Sequence, residues 1–214
     1  PRSSSAASDV YKRQVERLMS GRQNELRRCY WCEGDALYEH YHDEEWGVPV
    51  FDLLELFERL ALESMQAGLS WITVLKKREH MRKRFMGFDP QRLALCDETE
   101  IADWLKDKGL IRHRGKLQAL VQNARLVLQE PDFVDLIWQF APRKGCPPAA
   151  PEAGLGATEN AKAMAKTLKS KGFKFVGPTI CYAFMQSAGL VNDHARDCWR
   201  FSACEELQRS VRAQ

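Results

Sequence analysis

Nowhere in its 214 residues does this chain carry an apolar run near the roughly 20 residues of a membrane span. Nor does an apolar segment follow the N-terminus to make it a secretion signal. A cytoplasmic protein with no membrane partner is therefore expected. Alternating patterns of the kind that build strands are scarce and no segment repeats, which argues against sheet and solenoid architectures. Paired cysteines are lacking too: seven is an odd count, and without a secretion signal they read as reduced thiols. A strong charge of one sign is also missing. The net charge of +3 is too mild to diagnose nucleic-acid binding, so the distribution of charge has to decide.

What remains is an ordinary globular composition, 44% hydrophobic and 29% charged, in a chain long enough for a sizeable core. The first residues differ from the rest. PRSSSAASDVYKRQ is Ser-rich and aperiodic, and SDVYKRQ looks like a translated adapter, so residues 1–26 are expected to be a disordered or non-native extension. From Cys29 onward the periodic segments are helical. Asp52 is placed to cap DLLELFERLALESMQ, with Leu53, Phe57 and Leu60 or Ala61 on one face and Gly68 as the stop. Ser70 starts SWITVLKKREHMRKRF, and Asp97-Glu98-Thr99-Glu100 has the form of a capping box. Further helices are expected over 113–128, 132–141, 158–171 and 178–189. Residues 142–157 form a Pro/Gly-rich loop whose flanks are too short to fold separately. The expected architecture is one all-α domain over 27–200, followed by a C-terminal tail at 201–214.

Chemistry concentrates between Gly172 and Cys198. Phe175-Val176-Gly177-Pro178-Thr179 reads as a tight turn opening a helix: Gly admits unusual backbone angles, and Pro suits a first helical turn, where its missing N–H is not needed. Such a turn leaves backbone N–H groups free to meet phosphate, and Lys166, Lys169, Lys171 and Lys174 lie just upstream. KKREHMRKRF (76–85) reads as a solvated helix face. IRHRGK (111–116) follows Gly109 at a turn, where its Arg and Gly residues are better placed for a backbone phosphate. His194 and Cys198 stand four apart, so on a helix they would share a face, and Cys29 and His42 can complete a closed Cys2His2 set; Cys32, Cys204 and His40 are alternative ligands. Tyr30, Trp31, Tyr38, Tyr41, Trp46 and Trp71 accompany one carboxylate, Glu63, which opposes the helix dipole near the end of the Asp52 helix. Such aromatics serve a core as readily as a site, but a pocket that stacks a flat base and bonds its edge needs this mixture.

Taken together, RCYW (28–31), YEHYHDEEWGVP (38–49), LESMQAGLSWITVLKKRE (62–79), GLIRHRGK (109–116) and GFKFVGPTICYAFMQSAGLVNDH (172–194) resemble the DNA-3-methyladenine glycosylase I family, within the helix-hairpin-helix superfamily of DNA repair enzymes. The resemblance spans about Arg28 to Cys198. It implies a helix-hairpin-helix glycosylase fold in which a structural Zn2+ on Cys29, His42, His194 and Cys198 joins the N- and C-terminal segments. It places base recognition on Glu63, Tyr41 and Trp71, with Trp31, Tyr38 and Trp46 lining the pocket. The DNA grip falls on Val176, Gly177, Pro178, Thr179 and Lys174. The implied activity is excision of 3-methyladenine from double-stranded alkylated DNA, by a monomer that uses no nucleotide cofactor.

Two comparisons refine that expectation. Ser64 stands where LEGxQAGLSW has Gly, so its hydroxymethyl is expected either to crowd the pocket or to add a hydrogen bond. Thr179 stands where lyase members carry a Schiff-base Lys, and Asn192 where most members carry a catalytic Asp, with Asp193 one residue out of register. Neither strand cleavage nor strong activation of water is expected. Two alternatives remain: a glycosylase of broader alkyl-base range, and a zinc-stapled module that binds DNA without chemistry. A zinc hydrolase fits least, because four protein ligands fill the metal.

Overall fold

The computed structural model describes residues 26–142 and 157–212. The expected N-terminal extension and nearly all of the Pro/Gly-rich loop lie outside these residues. The regular structure among those described is all helical, with no strand. In chain order the helices are α1 (Ala36–Glu44), α2 (Leu53–Gln66), α3 (Trp71–Arg84), α4 (Pro90–Leu93), α5 (Glu98–Trp104), α6 (Arg114–Val127), α7 (Phe133–Trp138), α8 (Glu159–Ser170), α9 (Pro178–Ser187) and α10 (Phe201–Arg212). Short 3₁₀ turns at Tyr30–Cys32 and Met86–Phe88 precede α1 and α4.

Local chemistry sets most of these boundaries. The Asp52 carboxylate accepts from the Glu55 amide at the start of α2, satisfying one of the donors a helix N-terminus leaves open. Asp97 and Glu100 form a reciprocal capping box on α5. Gly68, at φ +78°, supplies the left-handed residue that ends the α2 segment. Ser70 precedes α3 as expected, but its hydroxyl bonds Thr73 Oγ1 rather than a backbone amide.

Helix α2 is the centre of the fold, packing against α3, α6, α7 and α9. Every residue from Leu56 to Met65 is buried, the polar Glu58, Arg59, Glu63 and Ser64 included, whereas Leu53 stays at the exposed end. A helix enclosed on all sides must satisfy its polar groups internally. Arg59 does so by donating to the Ser187 and Glu45 carbonyls and to Glu55. Phe57, Phe85, Phe88, Phe133, Phe173 and Phe184 fill the main core. A smaller cluster of Cys29, Tyr41, Trp46, Leu75 and Cys198 lies beside it and carries the chemistry.

The basic run at 76–85 differs from the solvated face expected of it. Arg78 is buried against Glu45 and Glu58, Arg82 pairs with Glu58 and Glu79, and Arg84 with Asp103 and Asp107. Lys76, His80 and Lys83 stay exposed, as expected, while these arginines tie α3 to its neighbours. Lys116 of the second basic run also points inward, where its ammonium donates to the Met65 and Ala67 carbonyls and caps the end of α2. Residues 201–212, expected as a tail, instead form α10. Phe201 and Cys204 bury their side chains, and Gln208 donates to the Gly47 carbonyl.

Candidate functional site

Helix α2 carries Glu63 into the wall of a cavity of about 260 Å³. Trp31 enters from the first 3₁₀ turn, Tyr38 and Tyr41 from α1, Trp46 from the loop after it, and Trp71 from the start of α3. Tyr30, Gln66, Ala183, Gln186 and Asp193 complete the lining. All six residues singled out for the base pocket therefore surround one space. Their rings interlock at tilted and edge angles: Trp31 to Trp46 at 4.9 Å, Trp31 to Tyr38 at 4.9 Å, and Tyr41 to Trp71 at 5.2 Å. This lattice fixes ring orientation and leaves a narrow apolar space suited to a planar ligand.

The polar atoms of this wall are poorly satisfied. Glu63 is 3% exposed and its Oε2 has no hydrogen-bond partner, nor have Trp71 Nε1 and Asp193 Oδ1. The other buried polar atoms without such a partner are guanidinium Nε atoms, so every such carboxylate or indole atom among the described residues belongs to this pocket. Burial pushes the Glu63 carboxyl up to about 8, against a smaller pull downward from Ser187 and Arg59. Asp193 is likewise raised by burial, although its Oδ2 accepts from Tyr182 Oη and from Gln186 Nε2 at 2.8 Å. Two buried carboxyls with free oxygens cost stability unless a ligand meets them.

Cys29, His42, His194 and Cys198 form a second buried group next to this pocket, their ligand atoms all within 4.8 Å of one another. His42 Nε2 lies 3.2 Å from His194 Nδ1 and 3.4 Å from Cys198 Sγ. His194 Nδ1 lies 3.5 Å from Cys198 Sγ and 3.7 Å from Cys29 Sγ. A tetrahedral ion with bonds of about 2.05 Å to nitrogen and 2.3 Å to sulfur has edges of about 3.3–3.8 Å, close to these four separations, so the group could hold a metal. The surroundings fit as well. His42 Nδ1 is 2.8 Å from Asp43, which Arg28 holds in a bidentate pair, and His194 Nε2 is 3.1 Å from the Trp46 carbonyl. Each imidazole thus has its outer nitrogen oriented, as metal-bound histidines require. Backbone amides of Ala195 and Arg200 point at the Cys29 and Cys198 sulfurs. Contact with Cys29 and with both imidazoles pulls the Cys198 thiol well below its ordinary value. Cys32 and Cys204 are buried outside this set and bond to backbone carbonyls.

Helices α8 and α9 are joined by the turn that holds the proposed DNA grip. Lys174 and Thr179 are exposed, Val176 is buried, and Gly177 and Pro178 are half-buried at the start of α9. Gly177 lies in ordinary extended backbone, φ −66°, so the expected need for unusual angles does not hold there. The left-handed residues are Gly172 and, unusually for an aromatic, Phe175 at φ +55°. A Cβ on Gly177 would meet nothing within 4 Å, so packing within the fold does not require glycine there. Asn123 pins Lys174 through both its amide and its carbonyl.

Gln66, Gln186 and Asp193 were not singled out from the sequence. Gln66 was within reach, since it follows Glu63 by three residues and so shares its helical face. Asp193 had been set aside on register, which does not predict where the loop after α9 turns its side chain.

An all-helical fold that sets an aromatic, carboxylate-bearing pocket beside a Cys2His2 cluster defines a narrow class. The methyladenine glycosylase family matches residues 31–201, and the chain belongs to that family. It is 50% identical to DNA-3-methyladenine glycosylase 1 of Escherichia coli, over 81% of this chain and 96% of that protein. It is 48% identical to the DNA-3-methyladenine glycosylase of Haemophilus influenzae, over 80% and 96%. Among solved structures it resembles a 3-methyladenine DNA glycosylase I at 49% identity (TM-score 0.76, covering 81% of this chain and 98% of that one). The Staphylococcus aureus enzyme, solved to explain 3-methyladenine recognition, follows at 34% identity (TM-score 0.74, covering 82% and 97%).

Proposed function

We propose that this protein flips 3-methyladenine out of alkylated duplex DNA and hydrolyses its N-glycosidic bond, without cutting the strand. The observation that carries this reading is the gathering of Glu63 Oε2, Trp71 Nε1 and Asp193 Oδ1, buried and without hydrogen-bond partners, on one aromatic pocket. A flat purine with polar edges supplies what the Glu63 and Trp71 atoms lack, and the water that attacks the sugar supplies what Asp193 lacks. 3-Methyladenine in DNA is cationic, so its glycosidic bond is already weak and the base departs neutral. Binding the extruded base then does most of the work. Tyr41, Trp71 and their neighbours favour a cationic ring, and the Glu63 carboxylate accepts from the N6 amino group on the base edge.

Water completes the reaction: its oxygen joins the sugar carbon as the carbon–nitrogen bond breaks, and its proton leaves to solvent. The unpartnered Asp193 oxygen is suited to hold that water by a hydrogen bond. Thr179 offers no amine for a Schiff base, so borohydride should trap no covalent adduct with DNA. The start of α9, with Val176, Gly177, Pro178, Thr179 and Lys174, grips phosphate through backbone amides, independent of sequence. Zinc is the ion we assign to Cys29, His42, His194 and Cys198. With all four positions filled by protein, it ties the chain ends together and takes no part in catalysis.

The test is chromatography of bases released from methylated DNA. Free 3-methyladenine well ahead of 7-methylguanine is expected. Equal release of both bases would mean a broad alkyl-base enzyme, and tight DNA binding with no free base would mean a binding module.

A further inference from the structure

Ser64 follows Glu63 on α2, and one residue of helical rotation turns it away from the pocket. It is not part of the pocket lining, so it neither crowds the cavity nor bonds within it. Its hydroxyl points to the α8–α9 turn instead. Oγ lies 2.9 Å from the Leu60 carbonyl, one turn back in its own helix, and 3.2 Å from the Phe175 carbonyl, 111 residues on. One hydroxyl proton serves both acceptors.

The partner is a residue that needs holding. Phe175 sits at φ +55°, a region bulky side chains disfavour, and such a conformation persists only where its surroundings impose it. Three contacts do so: Asn123 clamps the preceding Lys174, His113 packs its ring edge-on to Phe175 at 5.9 Å, and Ser64 takes the Phe175 carbonyl. Two residues later the chain reaches Gly177 and the open start of α9. Neighbouring residues of α2 therefore serve two ends of one substrate, Glu63 facing the base pocket and Ser64 the turn.

We propose that Ser64 is a positioning residue that sets the DNA-gripping turn against the base pocket, so that a phosphate held at α9 and a base seated beside Glu63 are in register. The inference rests on reading that turn as the DNA contact.

Ser64→Ala is the test, with Gly177→Val as its companion. Alanine is a strong helix former, so the variant keeps α2 and loses only the hydroxyl. Dissociation constants for an undamaged duplex, kcat and KM on methylated DNA, and affinity for free 3-methyladenine would be measured together. Three- to tenfold weaker duplex binding with a matching rise in KM is expected, the scale of one hydrogen bond. At saturating DNA kcat should stay within twofold, as should free-base affinity. Unchanged duplex binding in Ser64→Ala alongside weakened binding in Gly177→Val overturns the role of Ser64 alone. Unchanged binding in both variants overturns the turn as the DNA contact, and the proposal with it. A parallel loss of free-base affinity in Ser64→Ala would place its action in the pocket and refute the coupling.

Discussion

The Cys2His2 cluster and the aromatic pocket touch each other and share Trp46, yet they are built on opposite rules. In the cluster each imidazole has an outer partner and each of the two sulfurs has a backbone amide aimed at it. In the pocket, Glu63, Trp71 and Asp193 each keep a buried atom without a hydrogen bond. A closed set of four protein ligands stabilises the fold and leaves no open position for a substrate. An unsatisfied pocket costs stability and recovers that cost when a substrate binds. Trp46 links the two, its ring edge-on to His194 at 4.6 Å and to Trp31 at 4.9 Å, so the cluster buttresses one wall of the pocket.

The comparison breaks most visibly at the cluster. Cys198→Ser should remove the metal and lower the melting temperature together. Metal binding of this kind contributes on the order of 10 kcal/mol in small zinc peptides, and less is expected here, where a helical core already exists. Chelation of the parent protein should reproduce the loss. Full metal content with unchanged melting in the variant would refute the ligand assignment.

At the pocket the expected signs are reversed. The carboxyl of Glu63, near 8 in the folded protein against an ordinary 4.5, holds its proton more tightly than in the unfolded chain. Its contribution to stability is intact below about pH 4.5 and is lost progressively as pH rises to about 8. Glu63→Gln should therefore melt higher than the parent at pH 8. The same change should weaken recognition ten- to a hundredfold, since a charge-assisted hydrogen bond becomes a neutral one. Glu63→Ala should lose more. Affinity for cationic lesion DNA should rise from pH 6 to about 8 in the parent and stay flat in Glu63→Gln. Lower melting with intact free-base affinity in both variants would make Glu63 a brace for the fold. A flat profile in the parent would mean that the neutral acid reads the base.

The sequence revealed the two sites unequally, for physical reasons. Helix caps are local, so Asp52, Asp97 and Gly68 could be read directly. The cluster and the aromatic lining were legible through the resemblance, because ligand and ring identities are stringent. Charge pairing was not: the run 76–85 looks solvated until Glu45, Glu58, Asp103 and Asp107 arrive from distant segments. Helix α10 was within reach, since Phe201, Cys204 and Gln208 recur at helical spacing, but its packing against Gly47 and Trp46 is long-range. The direction of Ser64 likewise depends on where Phe175 returns, a distance no local pattern encodes.

Gly177→Val sharpens the comparison at a third place, outside both sites. Open space around its Cβ means the variant should fold and melt normally. Damaged and undamaged DNA should both bind about tenfold more weakly, because phosphate contacts position the duplex without reading bases. Free 3-methyladenine should bind as before. A loss confined to lesion DNA would move the turn into base recognition.

The smallest expected effect concerns Asp193, the second buried carboxyl of the pocket. Were it a general base, removing it would cost a factor of roughly 10² to 10⁴ in rate. The cationic lesion makes that assistance unnecessary, because its base leaves without needing a proton and the sugar already favours attack. Asp193 then serves only to hold the water, and Asp193→Asn keeps an oxygen for Tyr182 or Gln186 to meet. A fall in kcat of less than about tenfold is expected, with KM and free-base affinity unchanged. Metal content must be measured in parallel, since His194 is the next residue. A hundredfold fall with the metal retained would make Asp193 the catalytic base and end the account of excision driven by binding alone.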